Sequence, residues 1–174
     1  MVIDEAYGDF SGSSFIESLN NYENLLIMKT FSKIGLAGIR LGYLFGDKYI
    51  IENINKLRLP FNINSFSQKI SELAIENNHQ LEMQIDEICE LRDILVKNMK
   101  EIDKIRVFES KTNFVLFKIL SGSADDIFES LLSDKILIKN MTNATGLKNC
   151  LRVTVGSENE NKLFIQSLKN AIKY

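Results

Sequence analysis

No run of apolar residues in this sequence approaches the roughly 18 needed to cross a bilayer. The first residues also lack the basic, apolar and small-residue order of a secretory leader, so a cytoplasmic location is expected. Acids and bases nearly balance, at a formal net charge of −2, and they are interspersed. This leaves no basic stripe for a phosphate backbone and no polybasic patch for a membrane surface, which argues against nucleic-acid and membrane partners. Cysteine is scarce. Cys89 and Cys150 lie far apart without a CxxC spacing, and they read as reduced core thiols rather than as a disulfide or metal ligands. The single histidine, His79, sits in the polar run "ENNHQ" and is expected in a solvated loop; no metal site is anticipated. Proline occurs once, at Pro60, and no repeat, low-complexity tract or long flexible linker is present.

What remains is a globular sequence, 45% hydrophobic over 174 residues, enough for one medium domain or two small ones. Strand-like and helix-like stretches alternate. "MVIDE", "NLLIMKTFS" and "IRLGYLFG" read as three strands within the first 46 residues. "DKYIIENINKLRLP" reads as a helix starting at Asp47 and ended by Pro60, and "SFSQKISELAIENN" as another. From Gln80 to Ile102 apolar residues recur at three- and four-residue steps, predicting a long amphipathic helix. Beyond it, "RVFESKTNFVLFKI" is a strand pair or one long bent strand, and "SADDIFESLLSD" a helix capped by Ser123. "KILIKN" and "CLRVTVG" read as strands and "ENENKLFIQSLKNAIKY" as a closing helix. Residues from about 70 onward are expected to form an α+β unit of their own.

Chemistry concentrates in "TFSKIGLAGIRLGY", residues 30–43. An apolar strand runs into Thr30, Ser32 and Lys33, then Gly35, Gly38, Arg40 and Gly42. Small residues admit close approach of a ligand, hydroxyls and a guanidinium can hold a phosphate, and a lysine at a strand's carboxyl end points into a crevice. Taken alone, such a stretch reads more readily as a turn whose glycines serve geometry. It is not alone, because "DEAY" ends a strand about thirty residues earlier. In a parallel sheet, two strands joined by a crossover of that length bring their carboxyl ends to one edge, where α/β sheets bind ligands. Asp4, Tyr7, Lys33 and Arg40 around one crevice match what pyridoxal 5′-phosphate requires: a carboxylate for the pyridine nitrogen, a donor for the phenolic oxygen, a lysine for the aldehyde and cationic or hydroxyl groups for the phosphate.

"DEAY", then "TFSKIGLAGIRLGY", then "LRVTVG", in that order, resembles the fold-type I pyridoxal-phosphate aminotransferases, and within them the histidinol-phosphate aminotransferases. The resemblance covers essentially the whole chain. It implies an α/β fold, the C-terminal part of such a transferase: residues 1–60 a remnant of the large cofactor-binding domain and its sheet, residues 61–174 the small α+β domain with the long helix near 80–104. It implies that Asp4 pairs with the pyridine nitrogen and Tyr7 with the 3′ oxygen. Lys33 bonds to the cofactor and, once released by the substrate amine, moves the proton. Ser32, Thr30 and Arg40 contact the cofactor phosphate, and Arg152 takes a substrate carboxylate or phosphate. Asn113 in "SKTNFVLF" also matches the family and reads as structural.

Thirteen residues before Arg152 the family often carries a second arginine, where this sequence has Lys139, a point charge without the bidentate fork. Implied substrates are L-histidinol phosphate and 2-oxoglutarate, giving imidazole acetol phosphate and L-glutamate. The alternatives are another fold-type I aminotransferase and a threonine-phosphate decarboxylase-like enzyme. Family members are much longer, with the missing part before "DEAY". This chain is therefore expected to be a fragment or half of a split enzyme, inactive alone, non-catalytic in itself and with an exposed apolar sheet edge at Met1. A homodimer is expected for the full-length parent.

Overall fold

A computed structural model describes residues 1–173. The chain divides into two compact units, Met1–Ile85 and the residues from Asp86 onward. The division falls inside the long helix rather than near residue 60. Residues just after 60 belong with the first unit because buried Ser67 donates its hydroxyl to the carbonyl of Ile39 at 2.8 Å.

In the first unit, β1 (Val2–Asp4), β2 (Leu26–Thr30) and β3 (Gly42–Gly46) form a sheet in that order. β1 and β2 run parallel, with Val2 opposite Leu26 and Asp4 opposite Met28. β3 returns antiparallel, with Lys29 opposite Tyr43. Between β1 and β2 lie the four-residue helix α1 (Gly8–Ser11) and a 3-10 turn over Ile16–Asn20. Neither has a hydrophobic period long enough to show in the sequence. Gly42 opens β3 because a β-carbon there would lie 2.9 Å from the Lys29 carbonyl oxygen.

Helix α2 (Lys48–Lys56) begins where Asp47 accepts from the amides of Tyr49 and Ile50, and it stops ahead of Pro60. Helix α3 (Ser65–Glu76) is capped by Asn64, which accepts from the Ser67 amide at 2.8 Å. The long helix α4 spans Asn78–Lys100, so His79, expected in a loop, lies in its first turn and is exposed.

The second unit is an antiparallel sheet of β4 (Ile105–Val107), β5 (Phe114–Ile119), β6 (Lys139–Asn140) and β7 (Cys150–Thr154), ordered β4-β5-β7-β6. "RVFESKTNFVLFKI" is thus a strand pair, turned where the Ser110 hydroxyl donates to the Phe114 carbonyl. Asn113 accepts from the Val155 amide through its carbonyl, in keeping with a structural role. "KILIKN" yields only two strand residues. The chain leaves helix α5 (Ala124–Ser133) through Lys135 in the left-handed region, and the Ile136 amide donates back to the Leu131 carbonyl instead of to a ladder.

One sheet face, with Val115, Phe117, Ile119, Leu151 and Val153, packs with Leu95 and Met99 of α4 and Leu131 of α5. Phe164 and Leu168 of helix α6 (Glu158–Lys173) complete that core. Cys150 is buried, though outside that core, and Cys89 is half-buried. Replacing fully buried Leu151 by alanine is expected to cost about 2–5 kcal/mol. Ser123→Ala, which removes the cap on the Asp125 amide, is expected to cost only about 1 kcal/mol. Urea unfolding of the two variants checks the order.

Candidate functional site

The parallel pairing of β1 and β2 brings two chain exits to one edge of the sheet. The Glu5 amide donates to the Met28 carbonyl at 2.8 Å and carries the ladder one residue past Asp4. Asp4 is exposed, and its carboxylate accepts from the Ala6 amide at 2.9 Å, which fixes its direction. The chain then turns through Tyr7 into α1. From the end of β2 it passes into a 3-10 turn over Phe31–Lys33. There the Lys33 amine lies 5.3 Å from the centroid of the Tyr7 ring.

The hydroxyls are not equivalent. Thr30 accepts from the Ser32 amide at 3.0 Å and donates to the Leu41 carbonyl at 3.2 Å, so it shapes the turn. Ser32 Oγ makes no hydrogen bond among the described residues and is the hydroxyl left to bind a ligand. Arg40 is exposed with φ at 55°, its guanidinium donating to the Ala37 carbonyl at 3.2 Å. The Phe31 amide and Thr30 hydroxyl both donate to the Leu41 carbonyl, which ties the residue after Arg40 to the turn. Asp4, Tyr7, Thr30, Ser32 and Lys33 therefore share one edge.

Behind this edge lies a cluster that the sequence reading missed. Strand alternation and register put Glu5, Lys29 and Tyr43 on the sheet face opposite Asp4. Glu5, 6% exposed, accepts from the Ser14 hydroxyl and the Phe15 amide, each at 2.7 Å. Lys29 and Asp9 form an ion pair of 2.5 Å with side chains 14% and 24% exposed. Burial alone would lower the Lys29 amine, but its hydrogen bond to Asp9 and the charges of Asp9, Tyr43 and Glu5 leave it raised above 10.5. Burial raises the Tyr43 phenol above 10.0, opposed by Lys29 and reinforced by Asp9. The available signal was Lys29 itself, a lone charge in the apolar run "LLIMKTF" on the same strand face as buried Ile27.

In the second unit Arg152 and Lys139 are direct register partners across β7 and β6, so two cations lie side by side on one sheet face. Like charges placed opposite one another are unfavourable unless an anion joins them. The Arg152 guanidinium lies 4.6 Å from the Phe114 ring centroid, and its Nε is buried with no hydrogen-bond partner among the described residues. A buried N–H without an acceptor costs about 1–3 kcal/mol, which an oxyanion at this position removes. Leu151 and Val153 face the core and Arg152 the other side, as the alternation predicts.

The donor set suits a phosphorylated pyridine aldehyde. It offers an exposed carboxylate, an amine against an aromatic ring, an uncommitted hydroxyl and a guanidinium beside the same turn. For the back-face cluster, folding raises the proton affinity of both Lys29 and Tyr43. Their stabilisation is complete below the unfolded values of 10.5 and 10.0 and is lost as pH rises through the higher folded values. Stability is expected to fall above pH 10 and to fall less steeply in Tyr43→Phe, as read from urea midpoints across that range.

Comparison with known proteins agrees with this geometry. The model for aminotransferase class I and II matches residues 1–168. A histidinol-phosphate aminotransferase 2 of Nitrosococcus oceani is 42% identical over 97% of this chain and 47% of its own length. A histidinol-phosphate aminotransferase of Aquifex aeolicus is 38% identical over 99% and 49%. The crystal structure of the histidinol-phosphate aminotransferase from Clostridium acetobutylicum superposes with a TM-score of 0.88 at 30% identity, covering 99% of this chain and 54% of that one. That from Sinorhizobium meliloti, in complex with pyridoxal-5′-phosphate, gives 0.83 at 26% identity, covering 99% and 48%. The chain spans about half the length of the curated relatives it matches. Its mixed α/β architecture is that of the fold-type I aminotransferases. With the match running from Met1 almost to the end of α6, this chain belongs to the class I and II aminotransferases.

Proposed function

We propose that this chain is the C-terminal, lysine-bearing half of a pyridoxal 5′-phosphate-dependent aminotransferase. The enzyme exchanges an amino group between L-histidinol phosphate and 2-oxoglutarate, giving imidazole acetol phosphate and L-glutamate. The observation that carries this reading is the delivery of Asp4 and Lys33 to one edge by neighbouring parallel strands, with Tyr7 against the Lys33 amine. The names of the relatives support histidinol phosphate as the amino donor. The working assembly proposed is a cytoplasmic homodimer; none of the helices described is long and apolar enough to cross a membrane.

Bound at this edge, pyridoxal phosphate supplies an electron sink for charge developing at the substrate α-carbon. Asp4 holds a proton on the ring nitrogen, and its bond from the Ala6 amide keeps the carboxylate facing outward. Tyr7 donates to the 3′ oxygen. Ser32 Oγ and the Arg40 guanidinium hold the phosphate, while Thr30 keeps the turn in shape. Lys33 would hold the cofactor by its aldehyde carbon and, once released by the substrate amine, would carry the proton between the substrate α-carbon and that former aldehyde carbon. Arg152 and Lys139 receive the anionic end of either substrate, with the unpartnered Arg152 Nε gaining an acceptor.

The test combines this chain with the part of the Nitrosococcus oceani relative that it leaves uncovered. With pyridoxal phosphate, the pair is expected to show the visible absorption of lysine-bound cofactor and to transaminate L-histidinol phosphate in preference to L-threonine O-3-phosphate. Lys33→Ala removes both band and turnover. Arg152→Gln, which loses a charge-assisted hydrogen bond of about 1.5–3 kcal/mol, raises KM for 2-oxoglutarate about 10–100-fold. A wild-type pair without the band sinks the proposal.

A further inference from the structure

We propose that the Asp9–Lys29 ion pair is a positioning device that holds Tyr7 against the Lys33 amine. The two residues of the pair are bound covalently to the two segments that must meet. Asp9 lies in the first turn of α1, two residues past Tyr7, and Lys29 lies in β2, four residues before Lys33. One side-chain contact thus spans twenty residues of sequence and closes a small frame.

The sides of that frame are stiff. From Lys29 to Lys33 the chain passes through buried Phe31, whose amide donates to the Leu41 carbonyl, and through the Thr30 cap on the Ser32 amide. From Glu5 to Phe10 it is a closed turn, with the Gly8 amide donating to the Glu5 carbonyl at 2.9 Å and the Phe10 amide to the Tyr7 carbonyl at 3.1 Å. The turn is fastened to β2 at its start by the bond from the Glu5 amide to the Met28 carbonyl, and the Glu5 carboxylate braces it against Ser14 and Phe15. Asp9–Lys29 fastens its far end. Without it the turn is held by Glu5 at its start and by the buried ring of Phe10, and it can turn about those two anchors, taking Tyr7 with it.

A bare exposed ion pair would not hold such a frame, since solvent screens it and side-chain entropy opposes it. This pair lies against the sheet, beside Tyr43 and Glu5, where the amine is held charged. Tyr43 is itself packed edge-on and tilted between Phe45 and Phe31, 5.3 and 5.1 Å away by ring centroids, so the wall behind Lys29 is aromatic. The placement follows from these contacts alone. Its consequence, that the ion pair sets how readily Lys33 bonds to pyridoxal phosphate, rests on the function proposed above.

Two readouts separate the placement from that consequence. In the cofactor-free chain carrying 13Cε-lysine, the Lys33 methylene resonance is expected to be displaced to high field by the Tyr7 ring. Lys33→Arg assigns it by removal, and Tyr7→Leu gives its value without the ring. Asp9→Asn and Lys29→Met are each expected to move the resonance most of the way to the Tyr7→Leu value. The double variant moves it no further, Lys29→Arg leaves it displaced, and urea midpoints show that each variant remains folded. An unmoved resonance in folded Asp9→Asn and Lys29→Met, or a Lys29→Arg that behaves like Lys29→Met, overturns the proposal.

The second readout is borohydride trapping of pyridoxal phosphate, mapped by mass spectrometry, in the chain paired with the part of the Nitrosococcus oceani relative that it leaves uncovered. Asp9→Asn is expected to reduce labelling at Lys33 several-fold relative to the other lysines, and equal labelling in wild type and variant overturns the consequence. A wild type that traps no cofactor at Lys33 while its resonance responds to Asp9→Asn contradicts the proposed function and upholds the placement.

Discussion

Everything at the candidate site follows from the parallel pairing of two short strands. Asp4 opposite Met28 is the last pair of a three-residue ladder, and the Glu5 amide extends it by one bond. Because strand side chains alternate, that register decides which acid of "DEAY" faces the ligand edge and which faces the back of the sheet. A slip of one residue would exchange them, leaving Glu5 forward and Asp4 against Lys29 and Tyr43. The third strand runs antiparallel and supplies Tyr43 behind, and Leu41, the residue before it, supplies a carbonyl to the lysine turn. Hence a sheet of three strands is enough to set four of the proposed ligand-binding residues, Asp4, Tyr7, Ser32 and Lys33, at one edge.

The two acids then do different work with similar chemistry. Asp4 keeps its carboxylate exposed with one backbone donor, as a group meant for a ligand does. Glu5 is nearly dry and takes two short hydrogen bonds from its own loop, as a structural brace does. The hydroxyls divide the same way, Thr30 closing the turn and Ser32 remaining uncommitted. In the second unit the equivalent mark of a waiting partner is Arg152. Its ring contact to Phe114 and the neighbouring Lys139 fix a guanidinium whose Nε lacks an acceptor.

Much of this was legible in the sequence, and for identifiable reasons. Strands β1, β2, β3, β5 and β7 announce themselves by apolar runs with β-branched and aromatic residues, and α4 and α6 by sustained three- and four-residue periods. Helix starts were readable at Asp47 and Ser123 because capping is a local interaction between near neighbours. What escaped was short or non-local. Helix α1 is one turn, too brief for a period. His79 fell in α4 because the helix starts ahead of its first apolar residue. "KILIKN" lost most of its strand because Ile136 gives its amide to the end of α5. The Asp9–Lys29 contact joins residues twenty apart, and no spacing rule links them. The whole-chain order of "DEAY", "TFSKIGLAGIRLGY" and "LRVTVG" carried the family reading, which the match over residues 1–168 agrees with.

The central claim is that Asp4 and Lys33 serve one ligand from two parallel strand ends. A crystal structure of the assembled enzyme grown with pyridoxal 5′-phosphate tests it most directly. The account predicts continuous density from Lys33 Nζ into the cofactor, with the Asp4 carboxylate at hydrogen-bond distance from the ring nitrogen. Cofactor joined to a different lysine, or Asp4 facing solvent with the ring nitrogen held by another group, would contradict it.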